Sequence, residues 1–197
     1  MPRVKTCKNQ DCNKPITQMW STLQRTCSPK CAIEYTRQQE KKKHRKAKRE
    51  WKQANKTKPQ LTKDAQDNAF NPFIRKRDHD KPCISCGRND HEIPDIYTGG
   101  KWDCGHFLSV GSHPELRFHP YNAHRQCKSC NGGSGKYARK NHTVSTEYKE
   151  RLIKRIGADM VEWLEGPQET QNWTHEDLRD IKQYYREKIR ELEHGGM

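Results

Sequence analysis

Apolar residues recur at helical spacing in the last third of the chain. Tyr148, Leu152, Ile156, Met160 and Trp163 fall along residues 145–164 as the stripe of an amphipathic helix. Gly157 weakens its middle, and Gly166-Pro167 stops it. Thr174 opens a final helix, with Asp177 at the third position after it as a weaker relative of the capping box. Leu178, Ile181, Tyr185, Ile189 and Leu192 form its apolar stripe, ahead of Gly195-Gly196. Such a stripe is ordinarily covered within its own chain. Its 3-4-4-3 spacing also suits the pairing of two chains, which makes this helix the candidate surface for a homodimer. Earlier in the chain, Pro59 ends one segment and Thr62 is placed to cap a short helix carrying Ala65, Ala69 and Phe70. Asn71-Pro72 restarts it, with asparagine as N-cap and proline as first helical residue. Phe73 and Ile74 then pack against the module that follows, and Arg75, Lys76 and Arg77 stay exposed. Trp102-Asp103-Cys104-Gly105 reads as a short strand closed by a glycine.

Residues 37–58 carry no such stripe. They hold eleven Lys or Arg against two Glu. The expectation is a solvated helix, weakened by like charges at i,i+4 and stabilised when phosphates neutralise it; a merely soluble linker is the alternative. Lys41, Lys42, Lys43, Arg45, Lys46, Lys48 and Arg49 are the candidate phosphate contacts here. The whole chain of 197 residues has a formal charge of +14, which points to a polyanionic partner, most simply nucleic acid. Only 30% of residues are hydrophobic, too few for a large apolar core, so metal or disulfide staples are expected. Met1-Pro2-Arg3-Val4-Lys5 leads straight into a cysteine pair, with no signal peptide visible, and no apolar run approaches a membrane span. A reducing cytoplasm with thiolates on zinc follows as the expectation, with no membrane partner.

The nine cysteines fall into two sets and one remainder. Cys83-x2-Cys86 and Cys127-x2-Cys130 are two knuckles supplying four thiolates, the ligand set of a closed tetrahedral zinc site that holds structure and does no chemistry. Cys7-x4-Cys12-x14-Cys27-x3-Cys31 is a second, looser set, read as an N-terminal zinc finger whose task is either DNA contact or docking. Cys104 is the odd one, a small strand residue or, with His106, half of another zinc set. The fold class is therefore small, zinc-stabilised α+β. Its parts are a finger over 1–36, a basic helical linker over 37–61, a central module over 62–142 and a helical region over 143–197.

Phosphodiester hydrolysis needs a base to activate water and a cation to neutralise the phosphate. His106 has the right pKa range for that base. Asn131 directly follows the last zinc thiolate, so the zinc fixes its position, and its amide oxygen suits a hard cation such as magnesium or manganese, as does Asp103. Strand alternation puts positions 103 and 106 on opposite faces unless the strand bulges. Asn122 is placed to bond backbone across the loop and orient His106, or to serve a purely structural role. His113, His119 and His124 are rival catalytic or ligand candidates, against the alternative of a surface or packing role. Arg117, Arg125, Lys128, Lys136 and Arg139 are further candidate phosphate contacts, against the alternative of a solvated face.

The order His106…Asn122-x4-Cys127-x2-Cys130-Asn131 resembles the HNH, or ββα-metal, endonucleases. The chain is more closely similar to the NinG (Rap) recombination proteins of lambda-like phages. Cys27-Ser28-Pro29-Lys30-Cys31, Phe70-Asn71, Ile74-Arg75, Arg77-Asp78, Cys83-Ile84-Ser85-Cys86-Gly87-Arg88, Asp103-Cys104-Gly105-His106-Phe107, His113-Pro114-Glu115-Leu116-Arg117-Phe118 and Asn122-Ala123-His124-Arg125-Gln126-Cys127 carry the resemblance. It implies an HNH-like module and a structure-specific endonuclease of branched recombination intermediates, D-loops and Holliday junctions, in the host cytoplasm. Its catalytic set would be His106, Asn122 and Asn131, with a metal on Asp103 and Asn131. The rival is a non-catalytic zinc-finger DNA-binding protein, a regulator or scaffold; an RNA-binding or RNA-cleaving module rests on charge alone.

Overall fold

The computed structural model describes residues 5–95, 99–132 and 142–195. It is mixed α+β, mostly helical with one small sheet, and forms two compact units, 1–56 and 57–197.

In the first unit a bridge between Thr6 and Pro15 closes the loop that carries Cys7 and Cys12. Helix α1, Pro29–Ala54, starts inside the second cysteine pair. Ser28 caps it, its Oγ accepting from the Cys31 N–H at 3.2 Å, and Pro29 occupies the first turn, where no N–H is needed. From there to Ala54 neither glycine nor proline interrupts the chain. The finger and the basic run therefore share one helix, which runs unbroken through 36/37. None of its residues is buried, so α1 is a solvated rod about 39 Å long.

The second unit begins with helix α2, Lys58–Ala65. Its cap is Thr57, whose N–H donates to Gln60 Oε1 at 3.0 Å. This corrects the expectation of a start at Thr62. Pro59 falls in the first turn and starts the helix instead of ending a segment, while the Thr62 hydroxyl donates back to the Lys58 carbonyl inside it. A π turn over Gln66–Phe70 joins α2 to helix α3, Asn71–Arg77. Asn71 is itself helical, not a cap. The widened turn absorbs Pro72, which cannot donate to the turn before it.

Strands β1, Trp102–His106, and β2, Ala123–Cys127, pair antiparallel, from Trp102 opposite Cys127 to His106 opposite Ala123. The register is regular, with no bulge. Phe70, Ile74, Phe118, Ala123, Leu178 and Tyr185 form one core against one face of the sheet. There Phe70 meets Tyr185 edge-on at 4.9 Å, and Phe73 lies 5.1 Å from Tyr185. Phe73 and Ile74 thus pack on helix α7, His175–His194, rather than on the zinc knuckles. A second core holds Ile84, Leu116, Tyr148, Leu152, Val161 and Leu164, supplied largely by helices α5, His142–Ile156, and α6, Ala158–Glu165. The helix expected over 145–164 breaks at Gly157, whose φ of 87° favours glycine. The break turns the second half about its axis, so Val161 and Leu164 point inward and Trp163 stays 47% exposed. Thr174 caps α7 as expected, accepting from Asp177 N–H at 3.2 Å while Asp177 Oδ2 accepts from Thr174 N–H at 2.7 Å. Its stripe is covered at Leu178 and Tyr185, whereas Leu192 remains exposed.

Candidate functional site

Each four-cysteine set comes together, its sulfurs lying within 4.8 Å of one another. Sulfurs on a tetrahedral zinc with Zn–S near 2.3 Å stand about 3.8 Å apart. Cys12 and Cys27 are 3.5 Å apart, Cys27 and Cys31 3.7 Å. In the central set, Cys83 to Cys127 is 3.5 Å and Cys86 to Cys127 is 3.8 Å. These spacings fit zinc and exclude disulfides, whose sulfurs are bonded at about 2.0 Å. The surroundings suit thiolates as well. Arg88 Nε donates to Cys86 Sγ at 3.3 Å, and the Cys127 N–H donates to Cys83 Sγ at 3.3 Å. Both clusters can hold a metal ion. Cys104 and His106 belong to neither. Burial pushes the Cys104 thiol up to about 12, and it packs as an apolar residue beside the first core.

The central cluster closes β2, and helix α4, Lys128–Asn131, follows at once. The helix is only one turn, as the glycines after it suggest. It brings Asn131 to β1, where its Nδ2 donates to Asp103 Oδ2 at 3.1 Å. Asn131 thus turns its amide nitrogen, not its oxygen, toward the carboxylate. A cation such as magnesium takes oxygen ligands, so the pair serves as part of a site only with the amide turned over to present its oxygen. Gly105 shares this face, and a Cβ there would lie 2.0 Å from Gln126 Oε1. Gln126 is itself held to Ser85 at 2.5 Å, so Gly105 leaves room for the strut beneath the first knuckle.

His106 faces the other way, its ring 5.8 Å from Phe70. Its Nε2 lies 3.0 Å from the Arg117 carbonyl. A carbonyl only accepts, so Nε2 carries the proton and Nδ1 the lone pair. Nδ1 has no hydrogen-bond partner among the described residues. Burial lowers the His106 pKa; the Arg117 carbonyl bond opposes this and the Arg117 charge adds to it. The neutral form is therefore the stable one near pH 7. Asn122 is fully buried and shapes the loop between the strands. Its Oδ1 accepts from Leu108 N–H at 2.9 Å, and its Nδ2 donates to the carbonyls of Leu108 and Leu116 at 3.0 and 3.3 Å. Arg117 directly follows Leu116, so Asn122 positions the carbonyl that orients His106. The structure joins Asp103 to Asn131 and Asn122 to the His106 loop. No described contact links His106 to Asn131: His106 bonds the Arg117 carbonyl on one face of β1 and Asn131 bonds Asp103 on the other, so the expected side-by-side placement is corrected.

The cationic candidates divide sharply. Lys41, Lys42, Lys43, Arg45, Lys46, Lys48 and Arg49 are all exposed on α1. Arg117 donates to Gln66 Oε1 at 2.6 Å and lines an open groove of about 590 Å³ with Lys58, Thr62 and Lys63. Lys128 is half-buried; Lys136 and Arg139 lie outside the described residues. Arg125 is not a phosphate contact but an internal strut. It is 7% exposed, bonds the His79 and Lys81 carbonyls, pairs with Asp90 at 2.9 Å and stacks on Trp102 at 3.6 Å. Arg77 is also not exposed as expected. It forks onto the buried Asp78 at 2.9 and 2.7 Å and holds the carbonyls of Pro120 and Ala123 at 2.8 and 2.9 Å, on either side of Asn122. His124 is a buried member of the same network, 3.4 Å from Asp78. His113 pairs locally with Glu115, and His119 lies against Trp163. Sequence reasoning missed the Arg77–Asp78 pair; only its place among the family-like motifs marked it.

Residues 1–195 match the family described as NinG, Bacteriophage Lambda NinG protein. Among curated proteins, Protein ninG of Escherichia phage lambda is 31% identical over 97% of this chain and 94% of its own length. Protein ninG of Salmonella phage P22 is 31% identical over 94% of this chain and 92% of its own. Protein ninG of Escherichia phage 933W is 38% identical over 63% of this chain and 54% of its own. No solved structure matches. With a profile spanning both cysteine clusters, both strands and all the helices, the chain belongs to the NinG family of lambda-like phage proteins.

Proposed function

We propose that this protein is a metal-dependent DNA endonuclease of the HNH type, cleaving branched recombination intermediates such as D-loops and Holliday junctions in the host cytoplasm. His106 carries the reading. It is a neutral imidazole with its tautomer set by the Arg117 carbonyl, and the Arg117 side chain lines an open groove with Lys58 and the paired Lys63 and Asp67. His106 Nδ1 takes a proton from water, which attacks the phosphorus in line with the departing 3′ oxygen. Asp103 and Asn131, on the face of β1 opposite His106, would hold the magnesium or manganese, which would neutralise charge at the phosphate once the DNA backbone reaches around the strand end to both. Asn122 is a positioning residue, acting through the loop. The two zinc clusters hold structure, and the cations of α1 grip the backbone without reading bases.

The test uses zinc-loaded protein with a labelled four-way junction, a linear duplex and a single strand, with and without magnesium. Magnesium-dependent cutting of the junction is expected. His106→Ala should lower it by about 10²–10⁴-fold while junction binding and zinc content stay unchanged. Undiminished cutting by that variant removes His106 from the mechanism. A second reading, a non-catalytic DNA-binding protein, is favoured by the placement of His106 on the face of β1 opposite Asp103 and Asn131. It requires that the wild type nick none of the three DNAs with magnesium present.

A further inference from the structure

The loop between the two cysteine pairs of the N-terminal unit exposes large apolar side chains. Trp20 is 74% exposed, Leu23 82% and Met19 47%. The loop is tied down, not frayed. Gln24 Oε1 accepts from Trp20 N–H at 2.8 Å, and its Nε2 donates to the Thr26 and Gln18 carbonyls at 2.9 and 3.3 Å. Ser21 Oγ accepts from Leu23 N–H at 3.2 Å, and Lys5 Nζ donates to the Thr22 carbonyl at 2.6 Å. Holding an indole in water on a braced tip costs free energy that folding alone does not recover.

Beside the tip lies an open groove of about 660 Å³, lined by Lys5, Lys8, Leu23, Arg25 and Tyr35 among others, with no acidic residue in its wall. That volume is within the range of small-ligand sites. Lys8 and Arg25 have no acidic side-chain partner among the described residues. A cationic groove with an aromatic at its edge combines a track for phosphates with a platform for bases.

We propose that this groove and tip bind an unpaired DNA strand, with Lys8 and Arg25 on its phosphates and Trp20 and Leu23 against its bases. Paired bases are covered by their neighbours in the stack, so the tip distinguishes branch points and single strands from duplex. The cationic wall disfavours a second copy of the same like-charged surface. The proposal does not need the protein to cleave anything, so it is read without magnesium and fails or stands apart from the nuclease reading.

The test measures equilibrium binding of the full zinc-loaded chain to 2-aminopurine-labelled single-stranded DNA, a four-way junction and a fully paired duplex. Trp20→Ala should weaken the single strand and junction by about ten-fold and leave duplex affinity within about two-fold, while Trp20→Phe retains most of the binding. Lys8→Gln with Arg25→Gln should lower the log–log salt slope of single-strand binding by about 1.4. Equal losses on all three DNAs, no loss on any, or tighter binding of an RNA strand of the same sequence would overturn it. So would a drop in oligomeric mass on Trp20→Ala by light scattering, which would make the tip a contact between copies.

Discussion

Removing the carboxylate of Asp78 is the most informative perturbation of the fold around the candidate site. Asp78 is 0% exposed. Arg77 forks onto both its oxygens, Lys81 Nζ donates to Oδ1 at 3.0 Å, and the Arg125 N–H donates to Oδ2 at 3.3 Å. His124 and Arg155 close in at 3.4 and 3.7 Å. One anion thus ties α3 to β2 and α5. Asp78→Ala leaves these cations facing each other with no counter-charge, a change that costs about 3–5 kcal/mol. A unit of this size has a total stability of about 7–20 kcal/mol, so the loss is a large share of it. Burial by itself would raise the Asp78 pKa, but the bonds from His124, Arg77 and Lys81 together hold it well below the usual carboxylate range. The folded value is therefore depressed. Its stabilisation is fully present above the ordinary Asp value of about 3.9 and is lost as pH falls through the lower folded one. Urea unfolding of zinc-loaded protein, followed by tryptophan fluorescence, should show a midpoint lowered by about 1 M or more at unchanged slope. The gap from wild type should stay constant between pH 7 and 5. A loss under about 1 kcal/mol, or a gap that closes in that window, would refute the account of a desolvated anion.

Other consequences are as direct. Elemental analysis should find two zinc ions per chain, and chelation should abolish cooperative unfolding of the sheet-bearing unit, since a structural zinc contributes about 10–16 kcal/mol; an unchanged transition would show that the thiols suffice. If His106 is the base, the acid limb of the cleavage profile should fall below about pH 6.5, because burial lowers its pKa and only the neutral ring accepts a proton. A limb above pH 7 would point to another group. Replacing Lys42, Arg45 and Arg49, which lie near one another on α1, by alanine should reduce the log–log salt slope of DNA binding by about three. An unchanged slope would make that helix a spacer.

Spacing along the chain was enough to specify both cysteine clusters, the capped final helix and the short strand ending near His106. Each of these depends on residues a few positions apart, or on the strong demand of thiolates for a shared metal. Alternation in β1 likewise foretold that Asp103 and His106 take opposite faces; that no bulge relieves this was decided by the regular pairing with β2. Local signals misled at Pro59, which opens a helix capped by Thr57 instead of ending a segment. Pro72 falls in the first turn of α3 as expected, but a π turn and not an Asn71 cap precedes it. Tertiary structure alone determined the fates of Arg77 and Arg125. Both are cations in a basic chain and look like DNA contacts, yet the backbone carbonyls that hold them lie more than forty residues away. A charged side chain is indistinguishable in sequence whether it meets solvent or a buried carboxylate, and only the closure of α3 against the sheet buries Asp78 and brings it to β2.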